Sequence, residues 1–281
     1  MPIPAAQLDG TIVLKAPDLD LRATLLCGQC FRWEERGTGF FGVVSDRAAF
    51  VSCRDGTLFI DPATPPKEDE AAFWRGYFDL DRDYEALRRQ MASHPVLRQA
   101  CAFAPGIHIL RQPFFETLCS FILSANNNIP RIKGIIERLC ACFGPALEDG
   151  HFAFPAPNTL AALEKEDLAP LRCGYRASYL LDAARRVAAG ELNETALKAC
   201  PMPEARAALQ TVMGVGPKVA ECVLLYGLGR MEAFPVDVWM RRALLEYFPQ
   251  GFPEEYRSCA GIAQQVLYHW VRQNGKSGGK A

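Results

Sequence analysis

The stretch from Leu209 to Asp237, LQTVMGVGPKVAECVLLYGLGRMEAFPVD, constrains this chain most, because it joins a tight glycine turn to two side chains able to do chemistry. Glu204 to Thr211 reads as a short helix, and Met213-Gly214-Val215-Gly216 as a turn whose glycines permit positive φ and close approach of another backbone. Pro217 suits the first position of a second helix, in which Val219, Cys222, Val223 and Tyr226 recur at helical spacing until Gly227 and Gly229 end it. This is a helix-hairpin-helix pattern. Its turn is either a plain tight connection or an anion site. The amides of Gly214, Val215 and Gly216, with the positive end of the second helix behind them, can hold one DNA phosphate without reading a base.

Lys218 falls in the first turn of that helix, where a further positive charge is unfavourable against the macrodipole and where Val215 and Val219 would partly bury it. A neutral amine is the form that attacks a sugar carbon. Asp237 precedes the amphipathic run Val238 to Tyr247, and capping that helix is enough to account for it. Its spacing allows more. A helix over 217–228 advances roughly 18 Å and the eight residues after it span up to about 26 Å when extended, so Asp237 can return beside Lys218. There a carboxylate can steer a proton and stabilise positive charge on a sugar.

The 281 residues, 49% hydrophobic, suffice for one large core or two domains, and 31 Lys and Arg against 32 Asp and Glu exclude a protein that coats nucleic acid by net charge. Any nucleic-acid footprint must be local, and charge is uneven: Asp61 to Ala86 is acid-rich, Arg172 to Arg186 arginine-rich. The 11 cysteines follow no repeating frame, no signal peptide opens the chain and no 18-residue apolar run occurs. Free thiols and no membrane are expected, in a bacterial cytoplasm at the nucleoid, or in the nucleus of a eukaryote. Cys27-x-x-Cys30 lacks the second pair that zinc requires, so no metal is expected there.

Thr11 to Leu14, Phe40 to Ser45, Ala49 to Cys53 and Thr57 to Ile60 read as strands of an antiparallel sheet. After the proline-rich patch Pro62 to Pro66, Glu70 to Ala92 reads as helices with Phe73, Trp74, Tyr77 and Phe78 on an apolar face, and Phe114 to Ile122 as a central buried helix. The fold class is α+β. An N-terminal sheet domain with its following helices over 1–105 packs on an all-α region over 106–281, with a cleft between them. Several polar stretches have ordinary readings: Gly28 as a bend, Asn126 to Asn128 as turn chemistry, Gly174 as a helix C-cap with Tyr175 a core anchor, and Gln264 with Tyr268 as surface and core edge of the last helix.

GVGPKVAEC followed by FPVDV resembles the active-site segment of the 8-oxoguanine DNA glycosylase/AP lyases of the helix-hairpin-helix superfamily. The resemblance runs from about Leu21 to Tyr268, and GQCFRW, SANNNIPRI, GYRASY, GVGPKVAEC, PVDV and AQQVLY stand in the family's order. It implies that Lys218 attacks C1′ and Asp237 stabilises the oxocarbenium-like transition state. Gly28 would offer its carbonyl to the N7 hydrogen of 8-oxoguanine, with Cys222, Gln264 and Tyr268 lining, reading and stacking on the flipped base. Asn126 would fill the vacated space, Tyr175 would wedge into the stack, and Arg131 and Arg176 would face the widowed cytosine. The implied partner is double-stranded DNA containing 8-oxoguanine, bound by a monomer with no cofactor. Only Cys222 and Cys259 follow the hairpin, so the four-cysteine iron–sulfur cluster of some relatives cannot form there. Trp239 stands where animal members have His, which puts a phosphate contact there in doubt. Three other readings remain open: a monofunctional alkylbase glycosylase, a noncatalytic DNA-binding module and a zinc-binding regulator.

Overall fold

The computed structural model describes residues 10–65 and 67–274; Pro66 and the chain ends included in the limits 1 and 281 lie outside them. Strands β1 (Ile12–Lys15), β2 (Trp33–Arg36), β3 (Gly39–Val44), β4 (Arg47–Arg54) and β5 (Thr57–Pro62) form one antiparallel sheet in the order β1-β5-β4-β3-β2. Its register sets Phe41 opposite Phe50, Val51 opposite Ile60 and Ile12 opposite Ile60 on the other side. The sequence pattern does not mark β2, because only the first residue of Trp-Glu-Glu-Arg is buried. Packing decides it. The Trp33 indole lies so close to Gly42 that a Cβ there would come within 2.3 Å of it. Helix α1 (Leu21–Leu26), equally unmarked, is capped by Asp20, whose carboxylate accepts from the Ala23 amide at 2.9 Å.

The remaining helices are α2 (Glu70–Tyr77), α3 (Tyr84–Met91), α4 (Pro95–Phe103), α5 (Phe114–Ser124), α6 (Ile129–Phe143), α7 (Pro157–Ala161), α8 (Arg176–Ala188), α9 (Glu194–Ala199), α10 (Met202–Gln210), α11 (Pro217–Cys222), α12 (Val238–Tyr247) and α13 (Ala260–Asn274). The architecture is α+β. Two cores form: Trp33, Trp74, Tyr77 and Phe78 fill the one beneath the sheet, and α5, buried along nearly its whole length, runs through the other. Phe73 meets the Trp74 ring edge-on at 5.1 Å, as expected, but is only partly buried, with the Arg47 guanidinium 4.0 Å above its ring. Helices α3 and α4, grouped with the sheet on sequence grounds, bury Tyr84, Met91, Leu97 and Ala100 in the helical core instead. No helix among the described residues is long and apolar enough to cross a membrane.

Candidate active site

Helices α10 and α11 meet at the glycine turn. Gly214 has φ +82, and the Tyr179 ring lies 2.2 Å from where its Cβ would be, so glycine is required there on two counts. Gly216 is different, with an ordinary φ of −87 and nothing within 4 Å of a Cβ; its bareness leaves the start of α11 open. Val215 does not serve as expected. Its amide closes the turn onto the Val212 carbonyl at 3.0 Å, since a buried turn must satisfy its own backbone. Of the three amides expected to face a phosphate, those of Gly214 and Gly216 have no protein acceptor among the described residues.

Lys218, the second residue of α11, is half-buried, its Nζ 3.4 Å from Ser124 Oγ and 5.0 Å from the centre of the Phe121 ring. Cys222, one turn on, is buried, and burial raises its thiol pKa against the opposing pull of the Lys218 charge. The helix does not continue regularly to Gly227: Val223–Gly227 is a π-helical turn, a widening that accommodates functional side chains in many proteins. From this turn Tyr226 stacks on Phe121 at 5.4 Å and donates its hydroxyl proton to Gln265 Oε1.

Asp237 caps α12, its Oδ1 accepting from the Met240 amide at 2.8 Å, so the capping role read from sequence is real. The same carboxylate adds its charge to the burial that raises the pKa of Cys222, Tyr226 and Tyr268. It therefore borders the cluster that Lys218 joins. Glu221, on the helix of Lys218, makes this return of the chain rigid: one oxygen accepts from the Phe234 amide at 2.7 Å, the other pairs with Arg206. A helix residue thus fastens the segment leading to Asp237.

The loop after α1 approaches the same cluster, since the Cys27 charge acts on both Tyr226 and Tyr268. Gly28 has φ +93 and open space where a Cβ would point, so backbone shape calls for glycine there and packing does not. Burial pushes the neighbouring Cys27 thiol up to about 11. Gln29 is fully buried; its Nε2 donates to the Thr24 and His108 carbonyls, its Oε1 accepts from Leu110 N and its own carbonyl accepts from Gln112 Nε2, which fixes the loop. On α13, Gln264 and Tyr268 do share a face, one turn apart, but Gln264 is buried and not at the surface, and its Oε1 has no partner among the described residues; Gln265 beside it accepts from Tyr226 and reaches the Cys27 thiol.

At the rim the three asparagines divide the work. Asn128 caps α6 by accepting from the Arg131 amide, Asn127 donates to the Leu123 carbonyl, and Asn126, at φ +50, is exposed with its side chain unengaged among the described residues. Turn chemistry thus accounts for two of them. Arg131 is exposed; burial raises the Cys173 thiol pKa, and the charges of Arg176, Arg138 and Arg131 all oppose that rise. Arg176 departs from the expectation of a free donor: it is 4% exposed and gives Nε and Nη2 to the Ala125 carbonyl and Nη2 to that of Asn126, because a buried guanidinium must be satisfied locally. Tyr175 is 53% exposed, not a core anchor. The cap expected at Gly174 falls at Arg172, in the left-handed region at φ 53, with Gly174 itself at φ +64. Near the start of α12, Trp239 carries the Arg242 guanidinium 5.8 Å above its ring.

Residues 11–118 match the N-terminal domain model of 8-oxoguanine DNA glycosylase, and residues 119–251 match the helix-hairpin-helix superfamily of base-excision DNA repair proteins. Among solved structures, the MBOgg1 protein in complex with a low-affinity DNA ligand is similar to this chain over 98% of it and 100% of the other, at 39% identity and a TM-score of 0.88. The chain belongs to the 8-oxoguanine DNA glycosylase/lyase family. As a member it is a DNA-repair enzyme of the N-glycosylase/DNA lyase class. The Clostridium acetobutylicum 8-oxoguanine glycosylase/lyase, in complex with double-stranded DNA containing cytosine opposite 8-oxoguanine, matches it over 92% of this chain and 93% of that one at 34% identity and TM-score 0.84. The N-glycosylase/DNA lyase OGG1 of Arabidopsis thaliana is 28% identical over 284 residues, covering 89% of this chain and 77% of the plant protein.

Four residues that hold the candidate site's segments together escaped the sequence reading: Gln29, Glu221, Tyr226 and Gln265. Gln29 could have been suspected, as an amide set between Gly28 and Cys30 in an otherwise apolar stretch. The others act across the fold. Glu221 meets Phe234 13 positions away and Tyr226 meets Gln265 39 away, separations no local pattern reveals.

Proposed function

We propose that this enzyme removes 8-oxoguanine opposite cytosine from duplex DNA and then cleaves the strand at the resulting abasic site. The observation that supports the reading is the setting of Lys218, whose Nζ lies beside Ser124 and the Phe121 ring on which Tyr226 stacks, with its charge and that of Asp237, from a separate segment, both felt by the buried Cys222 thiol. With the lesion turned out of the duplex, the Lys218 amine bonds to C1′ while the bond to N9 breaks and its electron pair leaves with the base. The Asp237 carboxylate stabilises positive charge on the sugar during this step. Loss of the amine proton and ring opening give a Schiff base; removal of a C2′ proton then expels the 3′ phosphate with its bonding pair. Gly28 accepts the N7 hydrogen that 8-oxoguanine has and guanine lacks, and a guanine N7 facing that carbonyl leaves both acceptors unpaired at a cost of about 1–3 kcal/mol. The emptied position in the stack suits Asn126, and Arg131 suits the O2 and N3 acceptors of cytosine.

Borohydride reduces a Schiff base and leaves a hydrolytic intermediate untouched. On a duplex with one 8-oxoguanine opposite cytosine, the native enzyme is expected to become covalently trapped, and Lys218→Gln to bind the same duplex without trapping, base release or strand cleavage. Undiminished trapping by Lys218→Gln would place the nucleophile elsewhere. Base release with neither trapping nor cleavage would favour a monofunctional glycosylase.

A further inference from the structure

Three separate segments make the rim of the site: the Asn126 loop, Tyr175, and the turn before α11. The first turns of α8 touch all of them. Arg176 holds the carbonyls of Ala125 and Asn126, and its guanidinium lies 4.6 Å from the centre of the Tyr175 ring. Tyr179, one turn on, meets Tyr175 edge-on at 5.5 Å and fills the space that a Cβ on Gly214 would need. Asp182 accepts the Met213 amide through Oδ2 at 2.7 Å and is itself paired with Arg186 at 3.2 Å. The Tyr179 ring thus stands between Tyr175 and the glycine turn, and that ring together with the Asp182 carboxylate ties the turn to α8.

We infer that Tyr179 and Asp182 are positioning residues for base extrusion, locking the wedge-bearing end of α8 to the phosphate-holding turn so that wedge and grip act as one body. The inference rests on the function proposed above. A side chain entering a base stack is pushed back by the stacking energy it displaces, and an exposed tyrosine at a helix start has little to resist that push. A turn anchored on a phosphate supplies the resistance, provided the helix cannot slide against it. The Tyr179 ring against bare Gly214, with Asp182 on the preceding Met213 amide, forms that stop.

The test compares three readouts: single-turnover excision of 8-oxoguanine, strand cleavage at a preformed abasic site, where no base has to be unstacked, and the fluorescence of 2-aminopurine placed beside the lesion, which rises on unstacking. Tyr179→Ala is expected to slow excision roughly tenfold or more, to lower the fluorescence rise, and to affect abasic cleavage far less. Tyr179→Phe keeps the ring and should restore excision. Asp182→Ala should follow Tyr179→Ala, and carries the test if the latter loses its fold. In a Tyr175→Ala background the wedge is gone, so adding Tyr179→Ala should change little. Equal losses on the two substrates at an unchanged melting temperature, or additive losses in the double variant, would overturn the inference. A native protein inactive on both substrates would sink the function proposed above, and the two failures are thereby told apart.

Discussion

Around Lys218 most polar groups are already engaged: Asp237 caps α12, Glu221 holds Phe234 and Arg206, Tyr226 bonds Gln265, and Gln29 uses its amide on Thr24, His108 and Leu110. At the rim, Asn126 and Arg131 are exposed and their side chains have no partner among the described residues, while Tyr175 has the Tyr179 ring and the Arg176 guanidinium beside it. Chemistry on a sugar needs dipoles fixed before the reaction starts, because reorganising them would raise the barrier. Reading a duplex needs donors that water satisfies until DNA arrives. At the buried end, Oε1 of Gln264 is left without a partner among the described residues.

The sharpest challenge to this division is Asp237→Asn. An asparagine caps a helix about as well as an aspartate but brings no charge, so excision should fall roughly 10²–10³-fold while the melting temperature barely moves. Rate and melting temperature falling together would leave Asp237 as a cap alone. Next comes Glu221→Ala, which frees the segment before Asp237. Excision should drop on the order of ten- to a hundredfold with duplex affinity unchanged, and Glu221→Gln, still able to accept from the Phe234 amide, should recover most of it. A parallel loss of affinity would show that the buried end and the rim are not separable.

Arg131→Ala addresses the rim itself. The native enzyme is expected to excise fastest opposite cytosine and slowest opposite adenine, and loss of Arg131 should flatten that preference by about 1–3 kcal/mol without affecting borohydride trapping. Equal native rates opposite all four bases would remove both arginines from this role. Arg176→Ala is the less clean test, since it also unties the Asn126 loop. The smallest expected effect concerns pH. His108, whose carbonyl helps hold Gln29, has its ring pKa lowered by burial, against the opposing pull of the Phe78 carbonyl and Asp18. Its contribution to stability is present above about 6.5, the unfolded value, and is lost as pH falls through the lower folded value, because the unfolded chain takes up the proton first. The melting temperature should decline on acidification below that point, and His108→Gln should make the decline shallower.

Four of the five strands, the central helix, the hairpin and the start of α12 were legible because each is marked locally, by alternation, by an apolar run, or by Gly, Pro and Asp at defined positions. Strand β2 was not, since Trp-Glu-Glu-Arg becomes a strand only where Gly42 leaves room for the Trp33 ring. Position also separated Asn126 from Asn127 and Asn128: the three are chemically identical, and only the backbone route shows which two are consumed in closing α5 and opening α6.

By itself the sequence determined the hairpin, the placing of Lys218 at a helix start and of Asp237 at a helix cap, and through its ordered motifs the family. Each depends on neighbours within a few residues, so the residue order carries the information. Which amides of the turn have no acceptor among the described residues, which arginine is already spent on carbonyls, and what ties the segment before Asp237 to the helix of Lys218 were decided by tertiary structure. Those outcomes depend on where a carbonyl, a ring or an amide from a distant segment comes to rest. A buried polar group takes whichever partner the packing brings within reach, and that partner is written nowhere near it in the chain.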